Sequence, residues 1–170
     1  MKENYLAGEL AQFTEIMFQN IQITLDELTD VRSTPAFSDM PLWKHVYHML
    51  HSLDQWFINP DEYQEPGFHR ENMNSLFVLS EKGLTKEELQ KYFEDIKLKL
   101  RGYLKELSDG ELGDKPDQCD FTKLRLMLGQ YRHLSYHMGM IHSFIRSETG
   151  NWPAFKGLLQ TGRQQGTFGI

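Results

Sequence analysis

The sequence has very little cysteine, no long apolar run and no concentrated basic segment, and each absence excludes a class of protein. Its single cysteine, Cys119, has no partner for an internal disulfide, which is typical of a chain from a reducing compartment. No segment approaches the roughly 20 apolar residues that span a bilayer. The first four residues, MKEN, lack the apolar core of a secretory signal. We therefore expect a cytoplasmic protein that does not enter a membrane.

Positive charge is also scarce. The chain has 18 lysines and arginines against 24 aspartates and glutamates, which gives a net charge of −6. Binding to a nucleic-acid backbone requires a concentrated basic surface, so we expect no nucleic-acid partner. A chain of 170 residues is long enough for one domain with a buried core. We predict a single domain over residues 1–170, with a Gly- and Gln-rich tail from about 150 to 170 that packs only in part.

Apolar residues recur every three or four positions in four stretches, which is the spacing of amphipathic helices. The first stretch runs from about Asn4 to Thr29. The second begins at Ser38 or Asp39 as N-cap, has Pro41 in its first turn, and ends at Asn59-Pro60. No stretch alternates with period two for long, so the sequence predicts an all-α fold without a sheet.

Helix-end signals mark the remaining two stretches. The third opens at Thr85 with a capping-box pattern that is completed by Glu88, and it ends near Ser108. The fourth begins after Asp120 and runs to about Glu148. Four long amphipathic helices in a small domain favour a four-helix bundle.

The connections between the helices predict their arrangement. A short link joins helices one and two, so we expect these two to be antiparallel neighbours. The connection from Asn59 to Leu84 is much longer and is expected to contain a short helix around residues 72–81. A helix of 20 residues is about 30 Å long, and this crossover is long enough to run back along all of it. A parallel arrangement of helices two and three is therefore permitted.

The histidines carry the strongest chemical signal. Seven occur in the chain: His45, His48, His51, His69, His133, His137 and His142. His133 and His137 are at positions i and i+4 of the fourth helix, where Cβ atoms lie about 5 to 6 Å apart. Two imidazoles so placed can both reach one ion at the usual distance of about 2.0 to 2.1 Å. We predict that this pair binds a divalent metal; the alternative is a chance pair of hydrogen-bonded side chains.

A third ligand has to come from another helix, and helix two offers three histidines. At 100° per residue, His45 lies about 70° from the centre of the apolar stripe of helix two and His48 about 130° from it. His51 falls on the far side. Helical periodicity slightly favours His45 and leaves the choice open.

Two segments resemble the DinB/YfiT-like superfamily. Residues 131–140, YRHLSYHMGM, are similar to its signature helix, in which a glycine follows the second histidine by two positions. Residues 43–57, WKHVYHMLHSLDQWF, resemble its second helix. The resemblance extends from about Leu10 to Trp152. Tyr136 and Met140 depart from the commoner pattern of His and Gln at these positions, which bears on substrate preference.

The resemblance implies a fold, a metal site and a range of reactions. The fold is a four-helix bundle with a long crossover between helices two and three. The metal is nickel, zinc or iron, and its ligands would be His48, His133 and His137, with water in the remaining positions. The superfamily includes S-transferases and isomerases that use low-molecular-weight bacterial thiols. Dimers are common among similar proteins, so a homodimer is an expected assembly.

We therefore expect a metal-dependent transferase that moves a thiol cofactor to a small electrophilic substrate, or a related hydrolase. Three histidines leave an ion with open positions, which is the arrangement of a catalytic site. The alternative is a metal- or ligand-binding stress-response module without catalysis. DNA binding, suggested only by the family's association with damage-inducible genes, is opposed by the net charge of −6.

Residues around the histidines have candidate roles of their own. Asp54 is a candidate to orient a ligand histidine from outside the metal's direct contacts, and Arg132 is a candidate to hold a substrate carboxylate. Asp54 is equally well explained as an exposed helical carboxylate, and Arg132 is better explained as a solvated surface arginine. Gly139 would allow a neighbouring helix or a substrate to approach. Four aromatic side chains are candidates for the wall of a pocket or for plain core: Trp43, Trp56, Tyr136 and Phe144.

Overall fold

Four long helices make up most of the described chain. A computed structural model describes residues 4–28, 36–80 and 82–157. The helices are α1 (Tyr5–Glu27), α2 (Leu42–Trp56), α3 (Lys86–Glu106) and α4 (Lys123–Thr149), with a 3-10 turn at Asp109–Glu111. The all-α class is confirmed for these ranges. None of the described helices is both long enough and apolar enough to cross a membrane. The expected end of helix one at Thr29 and most of the expected tail lie outside the described residues.

The sequence signals at the ends of α3 and α4 are confirmed. The Thr85 hydroxyl accepts the N–H of Glu88 at 3.2 Å, and the Glu88 carboxylate accepts the N–H of Thr85 at 2.8 Å, which completes the capping box. At the other end of the chain, Gly150 follows α4 with a φ of +76°. This left-handed conformation is the usual helix stop and favours glycine.

The start of α2 differs from the sequence prediction. Ser38 and Asp39 have φ values of +50° and +65°, which a right-handed helix does not accept. They form the turn between two short antiparallel strands, β1 (Ala36–Phe37) and β2 (Met40–Pro41). This ladder is the one two-stranded sheet within the described ranges. Helix α2 therefore begins at Leu42, directly after the hairpin, and not at Ser38 or Asp39.

Helices α2 and α3 run parallel to each other. At the start of α2, the Trp43 ring lies beside Gly83, just before α3. After the end of α2, the Phe57 ring is 6.4 Å from the Tyr103 ring, late in α3. Contacts that advance in the same direction on both helices define a parallel pair, so the crossover does return along the length of α2.

The four helices pack in a ring in the order α1, α3, α2, α4. The prediction that α1 and α2 are neighbours is therefore wrong, because they occupy opposite corners. Four helices about 10 Å apart have a diagonal of about 14 Å, which a link from Leu28 to Leu42 spans easily at about 3.3 Å per residue. A short link therefore does not require adjacent helices.

The crossover, residues 57–85, carries no helix in the described part of the predicted 72–81 segment, where the chain forms turns and bends. Asn72 has a φ of +64°, which interrupts a right-handed helix. Two backbone carbonyls of this segment bond to side chains of α2. The Asn72 carbonyl accepts the Lys44 ammonium at 2.5 Å, and the Asn74 carbonyl is 2.7 Å from His48 Nδ1.

The polar face of α2 is covered by this crossover. Its side chains stand at helical spacing: Lys44, Tyr47, His48 and His51. Tyr47 contacts His69 of the crossover, with 2.7 Å from the hydroxyl to Nδ1, and His51 contacts Glu65 at 2.7 Å. Because the apolar face of α2 packs on α3 and α4, the helix is buried nearly all round, and even Lys44 is fully buried.

Candidate metal centre

Three histidines from two helices meet between α2 and α4. The ligating nitrogens of His48, His133 and His137 all lie within 4.8 Å of one another. Ring centroids are 4.4 Å apart for the α4 pair, and the His48 ring is 4.7 Å from that of His137 and 5.3 Å from that of His133. The α4 pair meets because i and i+4 side chains share a helix face. The structure thus brings together the three histidines that the resemblance implies.

The crossover sets the orientation of the His48 ring. Its Nδ1 lies 2.7 Å from the carbonyl oxygen of Asn74. A carbonyl only accepts, so Nδ1 carries the proton and Nε2 keeps a lone pair. Metal-binding histidines are usually held in this way, with the second nitrogen donating to a carbonyl or carboxylate.

The His133 and His137 rings have unsatisfied nitrogens. Nδ1 of each is buried and has no hydrogen-bond partner among the described residues. A buried polar atom without a partner costs about 1 to 3 kcal/mol, which a bound cation or its water would recover. Three imidazoles suit a borderline transition ion, whereas calcium and magnesium prefer oxygen ligands. The residues present therefore fit a divalent transition ion.

Burial keeps these imidazoles neutral. Desolvation, together with the neighbouring imidazoles of His133 and His48, lowers the pKa of His137 to about 3. Desolvation, with smaller contributions from His48 and Arg132, lowers the pKa of His133 to about 4. The pKa of His48 is lowered by burial too, partly offset by its bond to the Asn74 carbonyl. Metal binding requires neutral imidazole, and all three rings are in that state at neutral pH.

His45, the other candidate for the third ligand, points elsewhere. Its Nε2 donates to the carbonyl of Phe37 at 2.7 Å, and its ring packs against the Phe37 ring with 4.9 Å between centroids. It therefore fastens the β1–β2 hairpin to α2. The structure places His48, not His45, beside the α4 pair.

Two of the expected roles around the site are wrong. Asp54 contacts no histidine: its carboxylate accepts the Tyr92 hydroxyl at 2.8 Å and the Lys99 ammonium at 2.6 Å, so it ties α2 to α3. Gly139 faces open space, where an added Cβ would meet nothing within 4 Å. No neighbouring helix approaches Gly139, so that part of its expected role is wrong, and the approach of a substrate stays a prediction.

A groove of about 700 Å³ adjoins the three-histidine cluster, and His133 is part of its lining. Arg125 and Arg132 line the same groove, together with apolar side chains that include Trp56 and Leu128. None of the lining residues that the structure describes is acidic. In a chain with a net charge of −6, this groove is a local region of positive charge.

The four aromatic candidates for a pocket wall have different surroundings. Trp56 lines the groove, and the exposed Tyr136 ring lies edge-on to His137 at 5.1 Å. Trp43 is buried beside Gly83, and Phe144 packs against Phe37 at 4.9 Å, away from the cluster. Two of the four are therefore packing residues.

A second cluster was missed by sequence reasoning. The ligating atoms of His51, Glu65 and His69 also lie within 4.8 Å of one another. Periodicity had placed His51 on the far side of α2, and His69 had no assigned role. The i, i+4 spacing of Glu65 and His69 across a Pro-Gly pair was the available signal.

The three-histidine cluster and the adjoining groove together could hold a metal ion and a small molecule. Three neutral imidazoles can hold an ion with positions left open, at the edge of a groove that is large enough for a small molecule. The two arginines suit an anionic group in that groove. Comparisons with protein-family models, curated proteins and solved structures find no match to this chain, so its assignment depends on the residues and geometry described above.

Proposed function

We propose that this chain is a metal-dependent enzyme with a DinB/YfiT-like four-helix bundle, and that His48, His133 and His137 hold its divalent transition-metal ion. The observation that carries the proposal is the convergence of three ligating nitrogens within 4.8 Å. The parallel α2–α3 pair and the long crossover support the fold that the resemblance implies. A cytoplasmic location, as expected from the sequence, is part of the same proposal.

The proposed reaction is transfer of a low-molecular-weight thiol to an electrophilic small molecule, or a related hydrolysis. When bound, the metal supplies Lewis acidity that lowers the pKa of a thiol or water. The Asn74 carbonyl holds the His48 ring in its ligating tautomer. Burial keeps His133 and His137 neutral and available as ligands.

The groove favours a substrate that carries a carboxylate or phosphate. Arg125 and Arg132 are its charged groups, and no described lining residue opposes them with negative charge. Guanidinium groups bind such anions through paired hydrogen bonds. Trp56 and Leu128 provide apolar surface for the remainder of the molecule. We therefore place substrate binding in this groove, next to His133.

Metal content is the first test. Protein purified without a histidine tag is analysed for transition metals, and the His133→Gln/His137→Gln variant should contain one equivalent less than the wild type. The matched control is His142→Gln, which removes an α4 histidine whose Nε2 bonds to Thr24 at 2.7 Å instead of joining a cluster. Equal metal content in the wild type and the double variant would show that the proposed centre is wrong.

The same proteins are then assayed with a panel of thiols and electrophiles, half of them bearing a carboxylate. We expect metal-dependent turnover that is lost in His48→Gln. Arg132→Gln should raise KM for the carboxylate-bearing substrates by roughly tenfold, since a charge-assisted hydrogen bond contributes about 1.5 to 3 kcal/mol, while neutral substrates are unaffected. A metal-loaded protein without turnover across the panel would contradict the enzymatic proposal and favour a metal-binding module.

A further inference from the structure

A second set of metal-ligating side chains lies between α2 and the crossover. Glu65 Oε2 is 2.7 Å from His51 Nε2 and 3.5 Å from His69 Nδ1. All three ligating atoms lie within 4.8 Å of one another. Two imidazoles and one carboxylate form a donor set that zinc commonly takes, with water completing a four-coordinate site.

The local chain conformation builds this cluster. His51 projects from α2, one turn after His48, and is 2% exposed. In the crossover, the N–H of His69 donates to the carbonyl of Pro66 at 2.7 Å, and this turn brings Glu65 and His69 to the same side. The cluster therefore joins a rigid helix to a segment that has no secondary structure of its own.

Aromatic rings enclose the cluster. The His51 ring is 5.1 Å from that of His69, 5.5 Å from that of Tyr47 and 5.4 Å from that of Tyr63. The Tyr47 hydroxyl, 2.7 Å from His69 Nδ1, holds the His69 ring in place. Glu65 is the accessible member, with 45% of its side chain exposed, so an ion has a route from solvent. Low-polarity walls around a carboxylate strengthen its attraction to a cation.

Ion binding here requires the proton of His51 to leave Nε2. Because a carboxylate only accepts, His51 Nε2 carries the proton in its 2.7 Å bond to Glu65. When a divalent ion binds, the neutral ring takes its other tautomer with the proton on Nδ1, so that Nε2 offers its lone pair to the ion and the ionised Glu65 becomes a ligand. The balance needs no other reactant.

We propose that His51, Glu65 and His69 form a second site for a divalent transition ion, with zinc as the fitting example. Its role is to cross-link the crossover to α2. The site is separate from the three-histidine centre, since no residue is shared. The proposal does not depend on the enzymatic function proposed above.

The test counts zinc equivalents in the full chain, purified without a tag, stripped with EDTA, reloaded with zinc and dialysed to remove the excess. We expect two equivalents in the wild type, one in His133→Gln/His137→Gln, and none when Glu65→Gln and His69→Gln are added to that background. The matched control is Glu62→Gln, which removes an exposed carboxylate of the same crossover and should leave the count unchanged.

Thermal unfolding provides a second measurement. Zinc should raise the midpoint of the His133→Gln/His137→Gln protein, and Glu65→Gln should abolish that rise. Circular dichroism of each metal-free variant checks that it folds. Because the Glu65 side chain is largely exposed, Glu65→Gln is expected to fold normally. A wild type that binds one zinc, lost entirely in His133→Gln/His137→Gln, would overturn the second site and leave the first intact. A zinc count that falls only with Glu65→Gln and His69→Gln would support the second site and overturn the three-histidine centre.

Discussion

At the scale of single residues, His142 illustrates how burial fixes the state of an imidazole. Its Nε2 lies 2.7 Å from the Thr24 hydroxyl, which itself donates to the carbonyl of Asn20 at 2.9 Å. Since the hydroxyl proton is used in that bond, Nε2 must be the donor to Thr24. Burial lowers the pKa of His142, partly offset by Glu27. The folded protein therefore holds this ring neutral.

This pKa shift predicts a loss of stability in acid. The unfolded imidazole takes up a proton near pH 6.5, whereas the folded one does so only at lower pH. The free energy of unfolding should therefore fall as pH drops below about 6.5, by up to about 1.4 kcal/mol per pH unit from this group. Urea unfolding with EDTA at pH 7.5, 6.5 and 5.5 should give a shallower decrease for His142→Gln than for the wild type. Equal slopes would contradict the assignment, because the other histidines are common to both proteins.

The residue-scale features of the metal centre were only partly predictable. Spacing alone brings His133 and His137 together, because helix geometry is local. The choice of His48 over His45 was not accessible to helical periodicity, which assumes that a helix has one buried side. His48 faces the α4 pair because the Asn74 carbonyl, distant in sequence, fixes its ring, and His45 is held by the Phe37 carbonyl. Only the resemblance identified His48.

At the scale of elements, the helices were predictable and the connections were not. Periodicity located all four helices to within a few residues, apart from the start of α2. The hairpin and the crossover have no helical periodicity, and the shape of the crossover depends on bonds to α2 residues more than 20 positions away. In the first turns of α1, the buried residues are not those that the apolar spacing predicts. Leu6 and Phe13 are 53% and 38% exposed, while Thr14 is buried and bonds to the Tyr131 hydroxyl at 2.7 Å.

The contact between Gly83, just before α3, and Trp43 at the start of α2 leads to a prediction about stability. A Cβ at Gly83 would lie 2.9 Å from Nε1 of the buried Trp43, so Gly83→Ala should destabilise the fold by about 1 to 3 kcal/mol through overpacking. Gly139→Ala is the matched control, since its Cβ meets nothing and alanine favours a helix by about 1 kcal/mol over glycine. Urea unfolding of both variants measures the two changes. Equal effects, or a stable Gly83→Ala protein, would refute the packing described here.

At the scale of the whole molecule, the arrangement of the helices determines which elements a bound metal would connect. Thr14 meets Tyr131 and Thr24 meets His142, so α1 and α4 are parallel, as α2 and α3 are. The three-histidine cluster therefore joins the two parallel pairs, with His48 on one and the α4 histidines on the other. Such a crosslink connects residues that are far apart in the sequence, so its loss should lower the stability of the whole fold.

Metal removal should consequently lower global stability, and not only activity. An ion that binds the folded state alone, at 100 times its Kd, stabilises by about 2.7 kcal/mol, which for a domain of this size is roughly 5 to 10 °C in Tm. The measurement uses Glu65→Gln/His69→Gln protein, so that only the three-histidine site responds, scanned with zinc and with EDTA. Adding His48→Gln should remove most of the difference, because the remaining α4 pair no longer reaches across to α2. A Tm that zinc raises equally with and without His48 would mean that the ion does not bridge the two pairs, and the centre would then be confined to α4.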